Sequence, residues 1–216
     1  MNQFVRNQCL SLSSIFARVI AKALATVLTA LFLLLCYAAL YYRVHTTTSG
    51  IVDLRPTTGD KSCYVVFCAS LADNAHGFPG HCYVVWSADP TPNLLTAESA
   101  AFMPRKLTDQ PRSLWQTVPG FLGEHAAQGN MRNLDTLTVV LSPSDYEHSK
   151  LVRTQWLRGP FQVGVRDCVA FSDAVARDVG LHSPGCSYTF PQDYVRKLKL
   201  QNVESLNTMR RSVPPR

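Results

Sequence analysis

A cysteine at the start of a predicted helix is the residue of this chain best suited to chemistry. Residues 164–181 read GVRDCVAFSDAVARDVGL, and Cys168 comes directly before apolar residues at helical spacing that end at Gly180. In the first turn of a helix, unpaired backbone N–H groups and the helix dipole favour the thiolate, which is the nucleophilic form. Cysteine is also common as inert core packing, so this stretch alone leaves both interpretations open.

A nucleophilic thiol needs a base, and His81 is the histidine that the sequence places best. It opens a predicted strand in FPGHCYVVW, where alternation puts His81 and Tyr83 on one face and Cys82 on the other. A histidine held on a strand that faces the start of a helix can take the thiol proton. A hydrogen-bonded structural histidine is the alternative. Asp167 is predicted to cap the helix, and its charge would oppose thiolate formation at Cys168 unless it points away.

The motif GHCYVVW, followed about ninety residues later by RDCVAFSDAVARDVGL, resembles the NlpC/P60 superfamily of papain-like cysteine hydrolases. In that family the nucleophile lies in a DC-small-apolar-Phe turn that opens a helix. Most members place the cysteine before the histidine, whereas here His81 precedes Cys168 and only His182 follows it. The order therefore resembles the circularly permuted branch, which includes the YiiX-like and lecithin:retinol acyltransferase-like proteins.

The resemblance implies an α+β, papain-like domain in which a small antiparallel sheet packs on the cysteine-bearing helix. It implies Cys168 as nucleophile, His81 as the residue that moves the proton, and Glu98 in LLTAESAAF as the residue that orients His81. It also implies hydrolysis of an amide, peptide or acyl bond through a covalent acyl-enzyme. The implied substrates are peptides, cell-wall peptides or lipid acyl groups. A non-catalytic binding or assembly module on the same scaffold is the alternative.

An uncharged apolar run, ALATVLTALFLLLCYAALYY, extends over residues 23–42. Its twenty residues would span the ~30 Å hydrocarbon core of a bilayer, which predicts a membrane-anchoring transmembrane helix. A cleavable signal peptide is the alternative, but its apolar region is usually only about 7 to 15 residues long. A slight excess of positive charge before the run predicts a single-pass membrane protein with a cytoplasmic N-terminus. The soluble domain would then lie outside the cytoplasm, in the periplasm or at the cell surface if the source is bacterial.

The net charge of +6 is concentrated at the two ends of the chain. Residues 1–22 contribute +3 and residues 196–216 contribute +5, which leaves −2 for residues 23–195. Because residues 23–195 are nearly neutral, they offer no basic surface that could bind a phosphate backbone, so no nucleic-acid partner is expected. The basic ends fit either contact with anionic lipid headgroups or solvated tails. The sequence does not indicate an oligomeric state.

Metal and disulfide chemistry find little support in the spacing of the candidate ligands. Neither the remaining histidines nor Cys63 and Cys68, five residues apart, form a zinc motif, so no metal or cofactor is expected. The lack of a C-x-x-C pair argues against a thiol oxidoreductase. Two disulfides among Cys63, Cys68, Cys82 and Cys186, with Cys168 free, would fit an extracytoplasmic domain, and four reduced thiols would too.

The elements that must position these residues divide the chain into five predicted segments. These are a basic segment (1–22), the transmembrane anchor (23–42), a linker (43–62), the papain-like domain (63–200) and a disordered basic tail (201–216). Within the domain, short runs rich in Val and aromatic residues predict strands at 63–69, 81–88, 94–102 and 134–142.

The predicted helices follow capping signals. One starts after Ser142 and ends before Gly159, one carries Cys168, and a short one starts near Pro191. Residues 103–133 are broken by Pro and Gly, which predicts a loop with a short helix at 113–116.

Overall fold

The computed structural model describes residues 20–36, 49–57, 59, 61–70, 80–93, 97–124, 134–187 and 189–212. The chain divides into two compact units, Met1–Thr46 and Thr47–Arg216. In the first unit, residues 20–36 form helix α1. The hydroxyl groups of Thr26 and Thr29 donate to the carbonyls of Lys22 and Ala25 one turn earlier, so they are satisfied within the helix.

The predicted transmembrane helix at 23–42 is wrong. Of the helices in the described part of the chain, none is long and apolar enough to span a membrane. Residues 37–42 of the predicted span lie outside the described residues. The prediction of a single-pass membrane protein held in the membrane by this helix is corrected with it.

The second unit contains a seven-stranded sheet. Its strands are β1 (Ser49–Asp53), β2 (Cys63–Ser70), β3 (His81–Ser87), β4 (Glu98–Pro104), β5 (Val118–Gly123), β6 (Leu134–Leu141) and β7 (Arg158–Phe161), in the spatial order β1-β6-β2-β3-β4-β5-β7. Strand β1 is parallel to β6, while the other neighbouring pairs are antiparallel. The fold is therefore α+β with a mixed sheet, and not the small antiparallel sheet that was predicted.

Four helices come after β6 in the chain, with β7 between the second and the third: α2 (Pro143–Lys150), α3 (Val152–Trp156), α4 (Cys168–Asp178) and α5 (Pro191–Ser212). Helix α2 begins as the sequence predicts, because the hydroxyl of Ser142 accepts from the N–H of Asp145 and Pro143 occupies the first turn. Two short 3-10 turns, Leu107–Asp109 and Arg112–Leu114, precede β5.

The main core lies between one face of the sheet and these helices. Strand β3 contributes Cys82, Val84 and Trp86 to it, in a cluster with buried residues of α2, α3, α4 and α5. Tyr83 and Val85 point to the other face, where they form a smaller cluster with β2 and β4. The alternation predicted for β3 is therefore observed, and the helices lie on the Cys82 side of the sheet.

Helix α4 is fixed to the sheet by an aromatic cluster. The ring of Phe171 packs edge-on against Trp156 of α3 at a centroid distance of 5.7 Å. Trp156 in turn contacts Phe102 of β4 at 5.1 Å, and Phe102 lies 5.8 Å from Phe161 of β7. These contacts hold the start of α4 at a fixed position over β3 and β4.

Strands β5 and β7 lie where the sequence predicts loop or helix end. Their sequences, VPGFLG and RGPF, contain the glycine and proline residues that usually mark turns. Gly120 is needed within β5, because a Cβ there would lie 2.7 Å from atoms of both Phe102 and Phe161. The close packing of these aromatic rings explains why glycine occupies position 120. The sequence around Gly120 does not reveal this packing, so β5 was not predicted.

The ends of the folded unit also differ from the predicted segments. Strand β1 falls within the predicted linker 43–62, because Val52 is buried beside β6. Helix α5 continues to Ser212, into the predicted disordered tail 201–216. Asn202 explains part of this extension, since its side chain donates to the carbonyl of His182 and accepts from the N–H of His182, both at 2.9 Å.

Candidate active site

The first turn of α4 is organised by the buried carboxylate of Asp167. One oxygen accepts from the N–H groups of Val169 and Ala170 at 3.0 Å, and the other accepts from Gly164 at 2.6 Å. Asp167 is thus the helix cap that the sequence predicts. In the described hydrogen bonds of this turn, the N–H of Cys168 is not used, so it remains available to an incoming oxygen atom.

The thiol of Cys168 lies against the main chain of β3. The backbone N–H of Cys82 is close enough to this thiol to act on its pKa, which it lowers. The position is open because β4 pairs with β3 only over Val84–Trp86, which leaves the first residues of β3 without a neighbouring strand on that side. The structure therefore brings Cys168 to the residue that directly follows His81.

The Cys168 thiol is protonated at neutral pH. Burial raises its pKa well above the ordinary value, and the nearby Asp167 carboxylate and Cys82 raise it further. Hydrogen bonds from the backbone of Cys82 and Val169 act in the opposite direction but are outweighed. Cys168 nevertheless retains some exposed surface. The helix start thus presents a neutral thiol, and not the thiolate that its position alone would favour.

His81 occupies the first position of β3, with only 8% of its surface exposed. Its ring stacks on that of Tyr83, with 6.0 Å between the centroids and 25° between the planes. Tyr83 belongs to the sheet face opposite Cys82. The Cys168 thiol therefore lies near the backbone N–H of Cys82, whereas the His81 ring stacks on Tyr83 on the other face of β3.

Glu98 lies elsewhere. It begins β4 opposite Trp86, five residues along β3 from His81, a separation of about 16 Å at the rise of a strand. Its carboxylate forms ion pairs with Arg153 and, at 3.3 Å, with Lys150. The structure does not bring Glu98 to the His81 ring, and it assigns this carboxylate to the contact between β4 and helices α2 and α3.

Two residues beside Cys168 were not singled out from the sequence. Cys82 lies close enough to Cys168 to raise the pKa of its thiol, and burial raises the pKa of Cys82 itself from 9.0 to about 12. Ser172 lies one turn after Cys168 and donates its hydroxyl proton to the Cys168 carbonyl at 3.0 Å. Strand alternation already placed Cys82 opposite His81, and this was the signal that could have identified it as the contact of α4.

A second polar cluster lies farther along α4. Asp173 is buried and accepts from Tyr194 of α5 at 3.2 Å and from Ser183, and it pairs with Arg177 at 2.8 Å. All its partners belong to α4, α5 or their connection. This cluster therefore ties α5 to α4 and has no evident part in chemistry at Cys168.

Metal or disulfide chemistry has no visible basis at this site. In the part of the chain that the structure describes, no three His, Cys, Asp or Glu side chains are grouped as a metal ion would require. The described cysteines after residue 48, including the four considered for disulfides, are free thiols.

No protein-family model, curated protein or solved structure matches the chain. The resemblance to the permuted NlpC/P60 branch therefore rests on the two sequence motifs and stays a prediction.

Proposed function

We propose that this protein is a thiol hydrolase that cleaves an amide, peptide or acyl bond, with Cys168 as the nucleophile and His81 as the base. The observation that carries the proposal is the packing of α4 on β3, which places Cys168 against the core cluster that contains Cys82. It joins the two motifs, 87 residues apart in the chain, at the peptide bond next to His81.

The raised pKa of Cys168 determines how such a reaction must start. Because the resting thiol is protonated, a base must take its proton as the sulfur bonds to the carbonyl carbon. His81 does so after its ring turns from Tyr83 towards the Cys168 side of β3. The carbonyl oxygen becomes an oxyanion, and the N–H of Cys168 at the start of α4 can donate to it. His81 then returns the proton to the leaving amine or alcohol, and an acyl-enzyme remains.

Water completes the cycle. It attacks the thioester carbonyl while His81 removes one of its protons, and the sulfur departs and is reprotonated. The products are a carboxylic acid and the amine or alcohol released earlier. Glu98 has no position in these steps, because it is paired with Lys150 and Arg153 about five strand residues away from His81.

The alternative, a non-catalytic binding module, is favoured by a different observation. Burial and the Asp167 charge both hold the Cys168 thiol in its unreactive form, and the His81 ring stacks on the sheet face away from α4. A scaffold that no longer needs a nucleophile can tolerate both features.

The experiment is acylation of the full-length protein by a p-nitrophenyl ester, with release of p-nitrophenolate followed in time and the adduct located by mass spectrometry. A burst equal to the enzyme concentration and an acyl group on Cys168 are expected. Cys168→Ala should abolish the burst, and His81→Ala should slow it by about 100-fold or more.

Cys186→Ala is the matched control. Cys186 is also a partly exposed thiol whose pKa is raised by burial and nearby aspartates, but it lies on the connection after α4. Its removal should leave the burst unchanged. Acylation of Cys168 at the same rate as Cys186, with no effect of His81→Ala, would instead establish the binding module.

A further inference from the structure

Two arginines differ from the six whose partners the structure describes. Arg55, Arg112, Arg153, Arg177 and Arg196 each pair with an aspartate or glutamate, and Arg166 stacks on the Trp156 ring at 4.0 Å. Arg105 and Arg158 are exposed and have no acidic partner among the residues that the structure describes. A guanidinium group without an acidic partner can bind a carboxylate or a phosphate through two parallel hydrogen bonds.

Both unpaired arginines line the same cavity. It has a volume of about 660 Å³, and its walls also include Pro119, Phe121, Leu122 and Leu157. A volume of this size falls within the range of small-molecule sites, about 300 to 1,000 Å³. The cavity therefore combines two cationic groups with an apolar surface.

The strand pairing explains how the cavity walls are held in place. Phe121 of β5 is directly opposite Arg158 of β7, so the ring and the guanidinium stem share one face of the sheet. The N–H of Arg105 donates to the carbonyl of Pro119 at 2.8 Å, and that of Leu122 donates to Leu157 at 3.2 Å. Backbone hydrogen bonds thus fix both arginines relative to the apolar side chains.

We propose that this cavity binds a small molecule with an anionic group, a carboxylate or a phosphate, attached to an apolar chain. Arg105 and Arg158 hold the anion, since a guanidinium group binds either anion through two parallel hydrogen bonds. Phe121 and Leu157 contact the apolar part. This site is independent of the reaction proposed at Cys168.

Isothermal titration calorimetry of the full-length protein with octanoate and octyl phosphate tests the proposal, with octanol as the uncharged probe. At least one anion should bind, and octanol should bind at least about tenfold more weakly. The anion with the higher affinity identifies the carboxylate or the phosphate as the natural group. Absence of heat from both anions at millimolar concentration would overturn the proposal.

Variants separate the two arginines from general surface charge. Arg105→Gln and Arg158→Gln should each weaken anion binding by about tenfold, and the double variant should abolish it. Lys106→Gln is the matched control, because Lys106 is an exposed cation next to Arg105 that does not line the cavity. Cys168→Ala should bind as the wild type does. Equal affinity in the double variant and the wild type would refute the role of the arginines, provided that both give the same circular dichroism spectrum.

Discussion

Asp167 has two opposing effects on the first turn of α4. Its carboxylate accepts hydrogen bonds from three backbone N–H groups, which stabilises the helix start. The same negative charge, next to Cys168 in the chain, disfavours the thiolate and contributes to the raised pKa of the thiol. Helix stability and thiol reactivity are therefore in conflict at this residue.

Asp167→Asn separates these two effects. Asparagine retains the oxygen that caps Val169 and Ala170 but has no second acceptor for Gly164, so we expect a loss of about 1 kcal/mol in the free energy of unfolding. Removing the charge should speed alkylation of Cys168 by iodoacetamide at pH 8 by roughly threefold to tenfold. Urea unfolding and mass spectrometry measure the two quantities, and a slower alkylation would contradict the assigned electrostatic effect.

The pH dependence of Cys168 alkylation follows from its raised pKa in the same way. Because the thiolate fraction grows until the pH passes the pKa, the rate should still increase between pH 8 and pH 10. Rates measured by mass spectrometry at half-unit pH intervals test this expectation. A plateau already reached below pH 7 would mean that the thiol is activated, contrary to the burial and the Asp167 charge that surround it.

At the scale of elements, Glu98 connects the start of β4 to α2 and α3 through Lys150 and Arg153. These pairs are partly exposed, so Glu98→Gln should lower the free energy of unfolding by about 1 kcal/mol or less. If Glu98 instead oriented His81, as the sequence resemblance implies, the same substitution would slow the acylation burst by tenfold or more. Measuring both stability and burst rate in one variant decides between the two roles.

The attachment of α4 to the sheet depends on Phe171, which is fully buried against Trp156. Phe171→Ala should lower the free energy of unfolding by about 3 to 5 kcal/mol, because it removes a large buried ring and leaves a cavity. Phe171→Leu, which retains most of the volume, should cost less than about 2 kcal/mol. A loss below 1 kcal/mol for the alanine variant in urea unfolding would show that α4 is held mainly by other contacts.

For the molecule as a whole, the sequence predicts the elements that have a strong local pattern. Strands β2 and β3 contain uninterrupted apolar runs, β6 is rich in Leu, Val and Thr, and α4 has both a capping aspartate and a terminal glycine. Cys168 and His81 were found because each opens one of these elements. Alternation separates the two faces of β3 but does not show which face the helices cover.

The remaining features depend on contacts between residues distant in the chain. Strand β5 contains Gly120 because Phe102 and Phe161 leave no room for a Cβ, and α5 extends past residue 200 because Asn202 bonds to His182. The position of Glu98 depends on cations of α2 and α3, fifty or so residues later.

Buried thiols make the stability of the whole protein sensitive to alkaline pH. Burial raises the pKa of Cys82 from 9.0 to about 12, and it also raises the pKa of Cys68 and Cys168. Above pH 9 the unfolded chain loses these protons while the folded protein keeps them, so the free energy of unfolding must fall as pH rises. Each thiol contributes up to about 1.4 kcal/mol per pH unit, or roughly 4 kcal/mol for the three together.

Urea unfolding of the reduced protein at pH 8.5, 9.5 and 10.5 should therefore show a progressive loss of stability. Because domains are usually stable by only about 5 to 15 kcal/mol, three such thiols can unfold the protein at high pH. Cys82→Ala should make this pH dependence less steep, whatever its effect on stability at pH 8.5, because one proton fewer is then released on unfolding. Cys36→Ala, which removes an exposed thiol, should keep the wild-type slope. A pH dependence that Cys82→Ala does not change would contradict this account. The pKa of the Cys82 thiol would then be the same in the folded protein and in the unfolded chain, which means that water reaches the thiol between α4 and β3.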